Sequence, residues 1–459
     1  MKINKIWVVA LLTWCWWAYL AFTSQMLISD DAIGYHVFGE MLQKQGWGMY
    51  FITGPNREPG YLLLVASSLT LGQWTGWDYT AILKVIQLLL LGSTQLLVWR
   101  WLSLLRVSSA GIMLAVGYIG FSPALINAAL SMYSEILIIP IFVAMILAHM
   151  YWWQAVCDQK QGKGIVLSIW IALIWLGCIS VKAICWYVFL MYWVVLMAVL
   201  IWKLPAGKRR WALGGWVLAA GIVVGSIQSY LSIQFLYNGS RMLTNRGSEI
   251  FYANTVRRTA VLDRQTALAG ILFVPGEGFC NALMPREKCW YWGIFNQDKI
   301  GFAPLQAWSG SRLSVYQQDQ KLAAMGFEAI KTNPGQYALY TFSEAFKMFF
   351  WESTQVSFVL YAPWLQSFYA KGIVKDLWRF FPAVFSFWAF VVLVWHTWRI
   401  RHAHWNGYFS VIVLLLVIIL LSGMYALATI VTRYAFMLGP LWVGLWVLAA
   451  QRRRIFSRA

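Results

Sequence analysis

The chain is 459 residues long, and 60% of them are hydrophobic, 17% aromatic and only 12% charged. Ordinary soluble globular domains do not reach that balance, so the chain reads as an integral membrane protein. Its formal net charge of +19 needs no nucleic-acid partner, because Lys and Arg gather in predicted cytoplasmic loops beside anionic headgroups.

A hydrocarbon core of ~30 Å takes roughly 20 apolar residues per helix. Such runs are predicted at 6–25, 81–103, 108–126, 134–154, 165–181, 183–202, 212–237, 381–398, 408–428 and 434–450. About ten runs of this length do not fit the weak alternation of a transmembrane β-barrel, so the expected fold is an all-α polytopic membrane protein. The first run is kept as a helix, not a cleaved signal, since Leu11 to Phe22 leads into Thr23-Ser24-Gln25 without an A-x-A-like site.

With the N-terminus inside, every short cytoplasmic segment is basic: Lys2 and Lys5, Arg100 and Arg106, Lys160 and Lys163, Lys203 to Arg210, Arg399 and Arg401, and Arg452 to Arg454. The chain then divides into three parts. Residues 1–237 form an N-terminal membrane module with a first outer loop at 26–80, residues 238–380 an extracytoplasmic segment, and residues 381–459 the C-terminal membrane helices. Both outer segments are rich in Trp, Tyr and Phe, unlike linkers, and are expected to fold against the membrane surface.

In the first outer loop, Asp31 to Gln45 sets Tyr35, Phe38 and Leu42 on one face and Glu40, Gln43 and Lys44 at polar positions. That is the pattern of an interfacial amphipathic helix. Asp31 and Tyr35, four apart, share a face. A second piece, Asn56 to Gly72, opens with Pro59 and Gly60 before an apolar run and is expected to lie in the interface or re-enter the membrane. Cys280 and Cys289 share the long outer segment; a disulfide is expected if that side is oxidising, and a pair of free thiols is the alternative. No Cys or His cluster has metal-ligand spacing. Asn238-Gly239-Ser240 matches a glycosylation sequon and is read as incidental.

Ionisable side chains at membrane depth are costly and usually have a partner or a task. Asp30, Asp31, Arg57, Glu58, Lys84, Glu135, Lys182 and Arg433 all fall at predicted outer helix ends or in the first outer loop, while the helix centres are almost free of charge. With no internal repeat in view, this favours chemistry at the outer face over passage through the membrane. Glycosyl transfer from a phosphate-linked sugar uses such a mixture, a carboxylate to accept the proton of the attacking hydroxyl and cations to stabilise the departing phosphate. The α/β pattern of a soluble nucleotide-sugar enzyme is missing.

Five segments, DAIGYHVFGEMLQKQG from Asp31, REPGYLLLVASSLTLG from Arg57, SMYSEILIIP from Ser131, KTNPGQYALYTF from Lys331 and TRYAFMLGPLW from Thr432, together resemble the GT-C glycosyltransferases. The likeness is to the bacterial branch of protein mannosyltransferases and the lipid A aminoarabinose transferase. The first segment is similar to the D-x-x-x-Y signature of that family, the second to its R-x-P-G-Y-P-x-L-L segment with Leu62 where proline is common. The resemblance implies a GT-C fold, a polyprenyl-phosphate monosaccharide as donor, inversion at the anomeric carbon, and a site facing the periplasm or cell exterior from the bacterial inner membrane. It makes Asp31 the catalytic carboxylate with Asp30 beside it, and Arg57, Lys182 and Arg433 the ligands of the donor phosphate. Glu58, Tyr35, Tyr61, Tyr133, Glu135 and Tyr434 would line the sugar or acceptor, which is a lipid, a glycan or a protein. No cofactor is implied beyond the donor, and a divalent cation is compatible with Asp30, Asp31 and Glu58 but not required.

Plainer roles compete at these positions. Asp30 suits a helix N-cap, Arg57 and Glu58 a surface ion pair, and Lys182 a side chain reaching the headgroups. Arg433 suits a structural lipid phosphate, Glu135 a helix start and Lys84 a headgroup contact. Arg257 and Arg258, within GSEIFYANTVRRTA, contact a phosphate-bearing acceptor or belong to a solvated face. Two rival functions are a lipid-linked sugar flippase or exporter and a polysaccharide polymerase or ligase; the Asp-x-x-x-Tyr placement argues against both.

Overall fold

The computed structural model describes residues 5–350, 358–399, 409–428 and 433–452, with the Arg433 side chain outside the described residues. The first half is built from α1 (Lys5–Thr23), α2 (Asp31–Thr53), α3 (Pro59–Thr75), α4 (Tyr79–Leu104), α5 (Ser109–Phe121), α6 (Pro123–Leu130), α7 (Glu135–Cys157), α8 (Gln161–Val181), α9 (Ile184–Lys203) and α10 (Ala206–Asn238). Shorter helices follow: α11 (Gly247–Thr259), α12 (Arg264–Leu272), α13 (Glu277–Leu283), α14 (Arg286–Trp290), α15 (Ile294–Ala307), α16 (Val315–Thr332), α17 (Pro334–Ala345) and a 3-10 turn (Phe346–Phe349). The chain ends with α18 (Pro363–Ala370), α19 (Gly372–Arg399), α20 (Phe409–Ala428), α21 (Arg433–Phe436) and α22 (Gly439–Ala450).

Among the described residues, eight helices (α1, α4, α7, α8, α9, α10, α19 and α20) are long and apolar enough to cross a membrane. The chain is a multi-pass helical membrane protein, and each of these helices overlaps a run predicted from sequence. The predicted run 108–126 is instead two helices, α5 and α6, bent by 47°; counted as one span, the pair brings the number to nine. Pro123 has no N–H to continue the ladder, and Ser122 before it is extended (φ −62°, ψ 117°), so the helix stops and restarts. The predicted run 434–450 is broken as well. Its longer part, α22, has 12 residues, about 18 Å at 1.5 Å per residue against a core of ~30 Å.

In lipid, apolar surface alone does not choose a partner helix, so close approach and buried hydrogen bonds carry the packing. Gln95 of α4 donates to Thr13 Oγ1 and Val116 O at 3.0 Å each, and Trp17 Nε1 donates to Gly120 O at 2.8 Å, tying α1, α4 and α5 together. Gly120 has to be glycine here, because a Cβ would overlap Thr13 Cγ2. Lys84 is no headgroup contact. Buried in α4, its ammonium donates to Ala21 O and Ser24 O at 2.8 and 2.7 Å and closes the C-terminal end of α1.

Both long non-spanning segments gather at one end of the bundle. α2 breaks at Gly46 (φ 74°, ψ −172°), so the helix predicted over 31–45 is its first part. α3 starts on Pro59 and packs along α2, where Gly39 faces Val65. A two-residue antiparallel pairing joins the segments, β1 (Gln25–Met26) to β2 (Val359–Leu360), with Gln25 opposite Leu360 and Met26 opposite Val359. Helices α11 to α17 add a layer with a small core of its own, Ala269, Cys280, Cys289, Trp292 and Tyr340, in which Cys280 and Cys289 form the expected disulfide.

Candidate functional site

Asp31 opens α2, and among the described residues Arg57 and Arg246 reach it from separate segments of the chain. Arg57 Nη2 lies 2.8 Å from Asp31 Oδ1, and Arg246 Nη1, from the residue before α11, lies 3.4 Å from the same oxygen. Arg57 is held at its backbone as well as at its guanidinium. Tyr50 donates to its carbonyl at 3.0 Å and itself pairs with Tyr230 of α10 at 3.0 Å, and the guanidinium lies 5.0 Å from the Tyr35 ring centroid. A Cβ on Gly34 would come within 2.9 Å of Arg57 Nε and Nη2, so glycine at the third position after Asp31 leaves the guanidinium its path across the first turn.

A second ion pair stands on the other side of Tyr35. Glu135, the first residue of α7, is 2% exposed and lies 2.8 Å from Lys182 Nζ, at the break between α8 and α9. Lys182 Nζ also sits 5.2 Å from the Tyr434 ring centroid, so it turns inward and does not reach for headgroups. Tyr35 joins the two halves: its hydroxyl pairs with Ser134 Oγ at 2.9 Å, its ring meets Tyr61 edge-on at 4.9 Å, and burial pushes its phenol up, keeping it a neutral hydroxyl. Tyr61 is fully buried and donates to Gln87 at 2.6 Å, while Tyr133 packs on Phe358 at 4.9 Å.

Two of the plainer readings are corrected. Glu58 does not pair with Arg57; its Oε1 accepts the Ala183 N–H at 3.2 Å, satisfying a backbone donor at the start of α9. Asp30 occupies the N-cap position of α2 but makes no capping bond, and its backbone (φ 49°, ψ −120°) lies in a region that favours glycine. Arg433 begins α21, and its side chain lies outside the described residues; Tyr434 beside it stacks on Tyr425 at 4.6 Å.

Arg257 and Arg258 contact neither solvent nor this cluster. Both are buried on Glu344, at 3.3 and 2.6 Å, which burial and three surrounding cations together set at about 2, the cations outweighing the burial. The sequon is unavailable too, since Asn238 Nδ2 is spent on Phe51 O and Gln234 Oε1. Arg246 was not anticipated. It is 215 residues from Asp31 and carries no motif; a backbone bond from Asn245 N to Pro55 O at 3.2 Å brings its segment to the first loop. Burial opposes its charge, but Asp31 and Glu249 outweigh it and raise its pKa. Among the described residues no three His, Cys, Asp or Glu side chains are placed to hold one metal ion.

No protein-family model matches the sequence, and no curated protein matches it. Chemically, the cluster offers a carboxylate whose guanidinium partners would be drawn to any phosphate brought beside it, with an inward-facing ammonium next to them.

Proposed function

We propose that the protein is a GT-C type membrane glycosyltransferase, moving a monosaccharide from a polyprenyl-phosphate donor to a lipid, glycan or protein acceptor at the outer face of the bacterial cytoplasmic membrane. The observation that carries this reading is the convergence of Arg57 and Arg246, from two separate segments, on Asp31, with the Lys182–Glu135 pair across Tyr35. A carboxylate among guanidiniums at a helix end suits a reaction that creates a phosphate leaving group and frees a proton.

In the proposed step the acceptor oxygen bonds to the anomeric carbon from the face opposite the phosphate, with inversion. The bond from that carbon to the phosphate oxygen breaks, and its electron pair leaves with the polyprenyl phosphate. Asp31 accepts the hydroxyl proton. Arg57, Arg246 and Lys182 stabilise the departing phosphate, and Arg433 joins them by its motif. Each arginine that turns to the phosphate loosens its hold on Asp31, so donor binding itself frees the base. The isoprenoid tail stays between membrane helices.

Variants separate the two roles. Arg57→Gln and Arg246→Gln are expected to weaken binding of polyprenyl phosphate by about 10-fold or more, the scale of a lost charge-assisted contact, whereas Asp31→Asn keeps that binding and loses turnover. Equal loss of binding in all three would sink the assignment of Asp31 as base.

A further inference from the structure

The ion cluster around Glu344 has no part in the proposed chemistry, yet it grips the last described turn of α20, on which Tyr434 packs through Tyr425. Arg258 bonds in two directions. Its Nη2 is 2.6 Å from Glu344 Oε2, and its Nη1 donates to Ala426 O at 2.7 Å, to Leu427 O at 3.5 Å and to Thr341 Oγ1 at 3.0 Å. Ala426 and Leu427 are in the last described turn of α20. Tyr337 of α17 donates to Leu427 O as well, at 3.0 Å.

The other side of the same cluster meets α21. Lys347, 3.3 Å from Glu344, belongs to the 3-10 turn against which α21 packs. α21 carries Tyr434, whose ring lies on Tyr425 of α20 and beside the Lys182 ammonium. A fully buried guanidinium that gives its donors to carbonyls of another segment fixes that segment, because letting go would leave a charge unsolvated.

We propose that Arg258, with Glu344 and Tyr337, is a positioning residue that holds the end of α20, and through it Tyr434 of α21, against Lys182. The layer of α11 and α17 then sets the geometry of the phosphate side of the site from behind. The consequence for donor binding rests on the glycosyltransferase reading; the mechanical claim does not.

The test uses the full-length protein in detergent with Tyr337→Phe, which removes one hydroxyl, and Arg258→Lys, which keeps the charge but cannot span both partners. Hydrogen exchange should rise about tenfold in peptides covering Met424 to Ala428 and Arg433 to Leu438, the scale of one lost buried hydrogen bond, while Asp31 to Tyr61 keeps its protection. Undecaprenyl phosphate should bind several-fold more weakly, and donor KM should rise with kcat retained. Unchanged exchange in those peptides in folded variants overturns the proposal, as does an equal rise along the whole chain. If wild type binds no undecaprenyl phosphate, the functional reading falls while the exchange result still decides the positioning claim.

Discussion

Glu135 and Lys182 present the sharpest contrast between a structural and a chemical role for one ion pair. Glu135 is 2% exposed and its pair with Lys182 is buried, so Lys182→Met, which breaks that pair, should destabilise the protein by up to about 3–5 kcal/mol, and adding Glu135→Gln should restore much of it. Thermal unfolding in detergent measures both. If the stable double variant still binds polyprenyl phosphate like wild type, Lys182 is structural only. At this scale the sequence was legible where spacing made a local argument, as with Asp31 and Tyr35 four apart on one face. It was illegible where the partner lies far along the chain. Nothing in Thr244-Asn245-Arg246 marks it as the second cation on Asp31, and the pairings of Glu58 with the α9 start and Lys84 with the α1 end depend on which helices adjoin.

At the scale of elements, the cluster joining α11, α17 and the 3-10 turn sets three cations against one carboxylate. Burial, with the two arginines beside it, brings Lys347 down to about 8 against the pull of Glu344. Between that value and roughly 10.5, the unfolded chain holds a proton that the folded one has released, so this group makes stability rise with pH across that window. Glu344, held at about 2, acts at the other end; its contribution is present above roughly 4.5 and is lost as pH falls through about 2. Because tyrosines also titrate at high pH, the quantity to measure is the melting temperature of wild type minus that of Lys347→Met, from pH 7.5 to 10. The difference should grow in favour of wild type as pH rises; a flat difference would show that Lys347 keeps its ordinary pKa. Long apolar helices and the amphipathic helix over 31–45 were readable from composition and period. The break at Ser122-Pro123 was signalled by the proline yet overridden by hydropathy, and the β1–β2 pairing has no pattern in two residues.

Over the whole molecule, the charged clusters and both long segments share one end of the helical bundle, while the predicted cytoplasmic loops are basic. The proposed orientation makes a direct prediction: a cysteine at Gly162, where the structure shows open space, should react with a membrane-impermeant maleimide only after cells are permeabilised. One at the fully exposed Val261 should react in intact spheroplasts, and the reverse pattern would invert the topology. What composition and charge placement told of the fold was the class and the end at which the ionisable residues collect; the sugar and the acceptor left no mark, since hydroxyl recognition needs only scattered polar groups. The central claim is transfer chemistry at Asp31. The measurement that tests it most directly incubates purified protein with radiolabelled polyprenyl-phosphate sugars and a total membrane extract, wild type beside Asp31→Asn. The account predicts label moving from the polyprenyl phosphate into a new glycosidic product with wild type alone. Label that keeps its original linkage with folded wild type, across a complete donor panel, would contradict it and point to a flippase.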